Sequence, residues 1–141
     1  PTYNYYYPAY SPDGEWIAYN RAKNDHPRPD GHIGCYAAPD AEVWLMSRDG
    51  SIDIRLDTAN AEGNLQNSYP RWGPLPDDDI LWLAFSSRRG YPLEPSVMPQ
   101  IWIVGINPEL AYAGDDPSSS PIWLPGQSTL NDNHLPVWWS K

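Results

Sequence analysis

The stretch Tyr7-Pro8-Ala9-Tyr10-Ser11-Pro12-Asp13-Gly14-Glu15-Trp16-Ile17-Ala18-Tyr19 decides the reading of this chain. Pro12 suits an early turn position, and Asp13-Gly14 suits the positions that need unusual dihedrals. Beyond the turn, Trp16, Ala18 and Asn20 alternate with Ile17 and Tyr19, the period-two pattern of a strand. The phrase then returns. Tyr69-Pro70-Arg71-Trp72 is followed by Trp82-Leu83-Ala84-Phe85, and Leu135-Pro136-Val137-Trp138 begins it a third time. Between these lie Glu42-Val43-Trp44-Leu45-Met46 and Gln100-Ile101-Trp102-Ile103-Val104. A period of about sixty residues points to stacked or radially arranged units, each too small to bury its own apolar face.

Each unit yields four short strands. In the first they cover 7–11, 16–21, 42–47 and 52–56, with Arg48-Asp49-Gly50 as a hairpin signal between the last two. In the second they cover 69–72, 80–86, 100–106 and 122–124. Pro8 to Pro70 spans 62 residues and Pro70 to Pro136 spans 66, so the register survives loops of differing length. One helical turn interrupts the pattern. Asn107 stands as N-cap, Pro108 at the first helical position, Glu109 in the first turn and Gly114 at the end. Segment 24–40, punctuated by Pro27, Pro29, Gly31 and Gly34, reads as a long insertion.

Composition agrees. The 141 residues have the size of one domain, and 17 Pro, 8 Trp and 10 Tyr disfavour long helices and favour pleated, half-buried surfaces. The class is all-β. The formal charge of −9 repels phosphate backbones, which argues against nucleic acid as a partner. No apolar run approaches the length of a membrane span. The first residues lack the charged and apolar regions of a signal peptide, and they also lack an initiator Met. Cys35 is the sole cysteine, so no intrachain disulfide or paired-cysteine metal motif is available, and an inert thiol is the expectation.

The segment Tyr7 to Tyr19 resembles the TolB-type, WD40-like repeat known as PD40, whose signature runs P-x-W/F-S-P-D-G-x-x-I/L-A-F/Y. Glu42 to Met46 with Asp49-Gly50 is similar to that repeat's third strand and following turn. The second unit departs from it, because Gly73 to Asp79 replaces the SPDG turn, and the likeness there rests on Pro70, Trp72, Ala84, Phe85 and Trp102. The resemblance implies an incomplete β-propeller across 1–141: one blade at 7–57, a second at 69–125 and an extra strand at 134–139. It also implies a periplasmic, secreted or cell-surface protein, similar to the C-terminal part of large exported bacterial proteins of this kind. Such propellers act mostly as noncatalytic platforms for protein association. Two blades and a strand cannot close a ring, so remaining blades or a protein partner are expected to complete it.

No motif carries chemistry by itself. Asp77-Asp78-Asp79 and Asp115-Asp116 offer oxygen ligands without calcium-loop spacing, so no cofactor is assigned and a structural calcium is unsupported. His26, His32 and His134 lack metal-site spacing, and Ser118-Ser119-Ser120 lacks a nucleophile elbow. No catalytic residue is assigned. The candidate interaction surface comprises Arg21, Arg88 and Arg89, which follow the second strand of each unit, His26 and His32 in the insertion, and Trp123 and Trp139. Those two tryptophans have no counterpart in the first unit and are expected to be exposed. Trp44, Trp72, Trp102 and Trp138 recur at equivalent positions and are expected in the core. The binding loops are placed together on one face, at 24–40, 88–99 and 108–120. Two alternatives stand beside the scaffold reading: the end of a larger enzyme whose active site lies elsewhere, and carbohydrate binding through exposed indoles.

Overall fold

A computed structural model describes residues 2–23, 38–63, 65–75, 79–90 and 98–139. It contains two four-stranded antiparallel sheets and two short helices. The first sheet runs β1 (Tyr3–Tyr10), β2 (Trp16–Lys23), β3 (Glu42–Ser47) and β4 (Asp53–Arg55), each strand beside its sequence neighbour. A four-residue helix, α1 (Asp57–Asn60), leads to the second sheet. That sheet repeats the order with β5 (Ser68–Trp72), β6 (Leu81–Ser87), β7 (Gln100–Ile106) and β8 (Ile122–Trp123), and α2 (Pro108–Ala113) lies between its last two strands. Among the described residues no helix is long and apolar enough to cross a membrane.

The two turns of the first sheet share a Ser-x-Asp-Gly device. Ser11 Oγ accepts from Trp16 N at 2.9 Å and Asp13 Oδ1 accepts from Glu15 N at 3.1 Å. Ser47 Oγ accepts from Ile52 N at 3.0 Å and Asp49 Oδ1 from Ser51 N at 3.0 Å. Gly14 and Gly50 take φ of 77° and 74°, the left-handed conformation that both turns require. In the second sheet α2 replaces the later hairpin. Asn107 caps it through Glu109 N at 2.9 Å, and Gly114 closes it at φ 82°.

Pairing fixes which side chains share a face. In the first sheet Trp16, Ala18 and Asn20 stand opposite Ser47, Leu45 and Val43, while Ile17, Tyr19 and Arg21 stand opposite Met46, Trp44 and Glu42. In the second, Trp82, Ala84 and Ser86 oppose Gly105, Ile103 and Ile101, while Leu83 and Phe85 oppose Val104 and Trp102. Trp44 and Trp102 thus hold the same register position. We call the Trp16/Ala18 side the trailing face and the Ile17/Tyr19 side the leading face, with their counterparts in the second sheet.

The sheets pack trailing face to leading face. A single buried cluster holds Trp16, Ala18, Val43 and Leu45 from the first sheet against Leu83, Phe85, Trp102 and Val104 from the second. Ala59 of α1 and Ala111 of α2 close its margins. Burial of these side chains is the main driving force for holding the sheets together. The expectation that all four recurrent tryptophans are core is corrected here. Trp102 is 6% exposed, whereas Trp44 lies on the leading face of the first sheet, half-buried beneath Arg21, because no second sheet covers it among the described residues.

Candidate binding surface

Successive antiparallel strands send their connections to alternate edges of a sheet. The β2–β3 and β6–β7 connections therefore share an edge with the segments that lead out of β4 and β8. The β7–β8 connection, with α2, leaves the opposite edge together with the β1–β2 turn. This corrects the grouping of 24–40, 88–99 and 108–120 on one face: the first two share an edge and the third does not.

Near the shared edge of the first sheet, a cleft of about 380 Å³ is lined by Tyr3, Arg21, Lys23, Asp40, Glu42 and Arg55, among others. The Arg21 guanidinium sits 3.8 Å from the Tyr3 ring centroid and 4.3 Å from that of Trp44, a cation held between two π faces. Glu42 accepts from Arg55 Nε at 2.9 Å and from Trp44 Nε1 at 3.0 Å, and Lys23 N donates to Asp40 at 2.9 Å. Burial pulls the Arg55 pKa down, but hydrogen bonds and charge from Asp57 and Glu42 outweigh it and hold it above its ordinary value. Within the cleft Arg55 and Glu42 are ion-paired, while the Arg21 cation is held against two rings. The cleft suits recognition of polar groups on a partner better than proton transfer.

At the same edge of the second sheet the cations behave differently. Arg88 is exposed beside a small cavity lined with Gln66, Ser68, Tyr69, Ser86, Pro99 and His134. Arg89, expected at a rim, is 9% exposed and turns inward. Its Nη2 donates to Ala59 O and to Asn67 Oδ1 at 3.0 Å, and its Nε to Ser87 Oγ at 3.0 Å. All three acceptors are neutral, and desolvation lowers its pKa to about 10. Arg89 is a bolt between the sheets. His134 Nδ1 lies 2.8 Å from Asp132 Oδ1, and its ring stands 5.9 Å from that of Tyr69. Trp139 is 85% exposed, while Trp123 is half-buried against the core. His26, His32 and Cys35 lie outside the described residues, as do Asp77 and Asp78.

The serine run is engaged structurally. Ser118 Oγ accepts from Ala59 N at 3.0 Å and donates to Asp116 at 2.6 Å, while Ser119 Oγ accepts from Gly105 N at 2.9 Å. Asp116 also accepts from Thr58 N at 2.7 Å. Burial would raise the pKa of this carboxyl, but the bonds from Ser118 and Thr58 prevail and lower it. Among the described residues no three His, Cys, Asp or Glu side chains gather as a metal site.

Sequence reasoning missed a set of amide braces that link the sheets to this edge. Asn60 clamps the backbone of Val43, accepting from its N at 2.8 Å and donating to its O at 2.7 Å. Gln127 clamps Ile101 the same way, at 2.6 and 2.9 Å. Asn67 N donates to Ala41 O at 3.0 Å, and Asn133 N to Pro99 O at 2.9 Å. The signal was an amide side chain at comparable positions in both units, Asn60 and Asn67 against Gln127 and Asn133. Together, fold and surface define an all-β protein of two tandem, like-built sheets with a polar edge. Comparison with protein-family models, with curated proteins and with solved structures finds no match.

Proposed function

We propose that this chain is part of a β-propeller of the PD40 kind and serves as a noncatalytic binding or scaffold module of an exported protein. The observation that carries this reading is a contact that recurs at each step of the repeat. Trp72 Nε1 donates to Ala9 O at 2.9 Å, and Trp138 Nε1 donates to Arg71 O at 3.0 Å. Each is the aromatic two residues after a proline, reaching the residue that follows the previous unit's proline. One geometric step thus relates first unit to second and second unit to third, as an array of radial or stacked sheets requires. Export rests on the resemblance of Tyr7 to Tyr19 alone.

Binding is assigned to the edge that carries the β2–β3 and β6–β7 connections. There Arg21 and Lys23 present cations beside the carboxylates of Asp40 and Glu42 around a polar cleft, and Arg88 lines a second, small cavity. Loops on a rigid scaffold are the usual place for recognition. Cross-linking to proteins of the native host, read by mass spectrometry, tests the assignment. Cross-links from Lys23, reduced about tenfold by Arg88→Glu with Asp40→Asn, which leave the Lys23 amine in place, are the expected result. Cross-links confined to the α2 edge, unaffected by those changes, would reject it.

A further inference from the structure

On the trailing face of each sheet the second strand offers equivalent residues to the unit that follows, and two of them differ. Asn20 and Ser86 hold one register place, and Ala22 and Arg88 the next on that face, since Tyr19 pairs with Trp44 as Phe85 pairs with Trp102. Asn20 is fully buried, and its amide spans the gap to the second unit. Its Nδ2 donates to Glu42 O and to Asn67 O at 2.9 Å each, and its Oδ1 accepts from Tyr69 N at 2.9 Å.

Ser86 has no carboxamide to span the equivalent gap, and beside it lies the small cavity, about 20 Å³, whose walls include Ser68, Arg88 and His134. Ser68 and Ser86 stand opposite each other in β5 and β6 and are 3% and 2% exposed, so the chain itself covers both. Ser68 Oγ is buried without a hydrogen-bond partner among the described residues. A hydroxyl so placed is unfavourable until a guest accepts its proton. Space of this size takes about one water or one monatomic ion, and it excludes a four-oxygen anion. Charge decides between the two. Where the first unit has Ala22, the second brings the Arg88 guanidinium to the wall, and no carboxylate of the described residues lines it. Asp132 is not a wall residue, and it engages His134 Nδ1 at 2.8 Å.

We infer that this cavity binds a single anion of chloride's size, held by the Ser68 hydroxyl, with Ser86 beside it, and by the charge of Arg88. The ion takes the place that the Asn20 amide fills in the first unit, and it ties β5 and β6 to the segment that carries His134. Arg88 is exposed and solvent screens its charge, so binding is weak and titrates with salt. The site does not rest on the partner-binding reading, although Arg88 belongs to the same edge. Ser86→Asn separates the two, because it fills the cavity and leaves every cation of that edge in place.

The line width of the chloride NMR signal, measured in sodium chloride with the 141-residue chain added, reads exchange with bound ion. Wild type should broaden the line; bromide should displace the excess width, and sulfate, too large for the cavity, should not. Ser86→Asn, which restores the amide, and Arg88→Gln, which removes the charge, should each lower the excess severalfold. A wild-type chain that adds no width overturns the inference, since a water then holds the place. Width kept in full by either variant, or displaced by sulfate as readily as by bromide, also overturns it, since it marks ions on the outer surface only. Should Ser86→Asn fail to fold, Arg88→Gln still decides, because its side chain is exposed and the fold does not depend on it.

Discussion

Trp44 and Trp102 occupy one register position in two like-built sheets, and they live in different surroundings. Trp102, opposite Phe85, is buried in the cluster that joins the sheets. Trp44, opposite Tyr19, is half-buried on a face populated by Tyr5, Tyr10 and Arg21, with its indole N–H bonded to Glu42. The repeat sets the backbone place of a side chain, while the neighbouring sheet sets its environment. The second sheet has a neighbour on its leading face; among the described residues the first has none. The tyrosines of β1 are what a partly wet, partly apolar surface favours, since each carries a hydroxyl that keeps a link to water.

Truncating the two tryptophans is the strongest way to break this comparison. Trp102→Ala should cost about 3–5 kcal/mol, the transfer term plus a cavity between the sheets. Trp44→Ala should cost roughly 1 kcal/mol, within the ordinary range for substitutions outside a core. Urea unfolding of both variants supplies the check, and equal losses would mean that the first sheet's leading face is covered as the second's is. Next in size is Asn67→Ala. It removes the Asn67 bonds to Asn60 and Arg89 from a buried seam and should cost about 1–3 kcal/mol by leaving those partners short. Its counterpart Asn133→Ala, on a half-buried amide at the outer end, should cost no more than about 1 kcal/mol.

The sequence carried the pairing strands well and the connections poorly. Strands β3 and β7 fall where their alternation puts them, and so does the Asn107–Gly114 helix, because period and capping are local signals. β1 extends back to Tyr3 because its tyrosines pair with Lys23 and its neighbours across a bulge that no pattern announces. Tyr7 at that bulge and Tyr69 at the equivalent one take φ of 53° and 56°, uncommon for residues so bulky. Their rings stack at 4.2 Å, with the hydroxyls 3.0 Å apart. That tertiary contact offsets a strain of about 1–3 kcal/mol at each, and a single unit could not foretell it. α1 was illegible for the same reason: four residues have no helical period, and Ala59 is fixed by packing against the other sheet. For the surface, Arg21 and Arg88 lie where the strand ends put them. The inward turn of Arg89 depends on acceptors from Ala59 and Asn67, far away in the chain.

The smallest effects concern pH, and they sharpen the contrast between covered and open positions. Burial first, and then the hydrogen bond and charge of Asp53, raise the Tyr19 pKa above its ordinary 10.0. A raised pKa means that this group's contribution to stability is complete below pH 10 and falls as pH rises beyond it. Absorbance titration should give wild type and Tyr19→Phe the same amplitude in the normal phenolate step, because Tyr19 ionises above it; a step smaller by one tyrosine in the variant would contradict the shift. Asp49, in an exposed turn, is lowered to about 2 by the hydroxyl of Ser47 and then by the Ser51 N–H. Its contribution is present above its ordinary 3.8 and is lost as pH falls through about 2, and Asp49→Asn should flatten that part of the acid unfolding curve.

The account rests on one step that carries the first unit onto the second and the second onto the third. Proton NMR of the indole N–H groups tests it directly. The Trp72 Nε1 proton should give cross-peaks to Ala9 and Tyr10, and the Trp138 Nε1 proton should give the matching cross-peaks to Arg71 and Trp72. Cross-peaks from either indole to an unrelated strand, or none across the units from both, would contradict it.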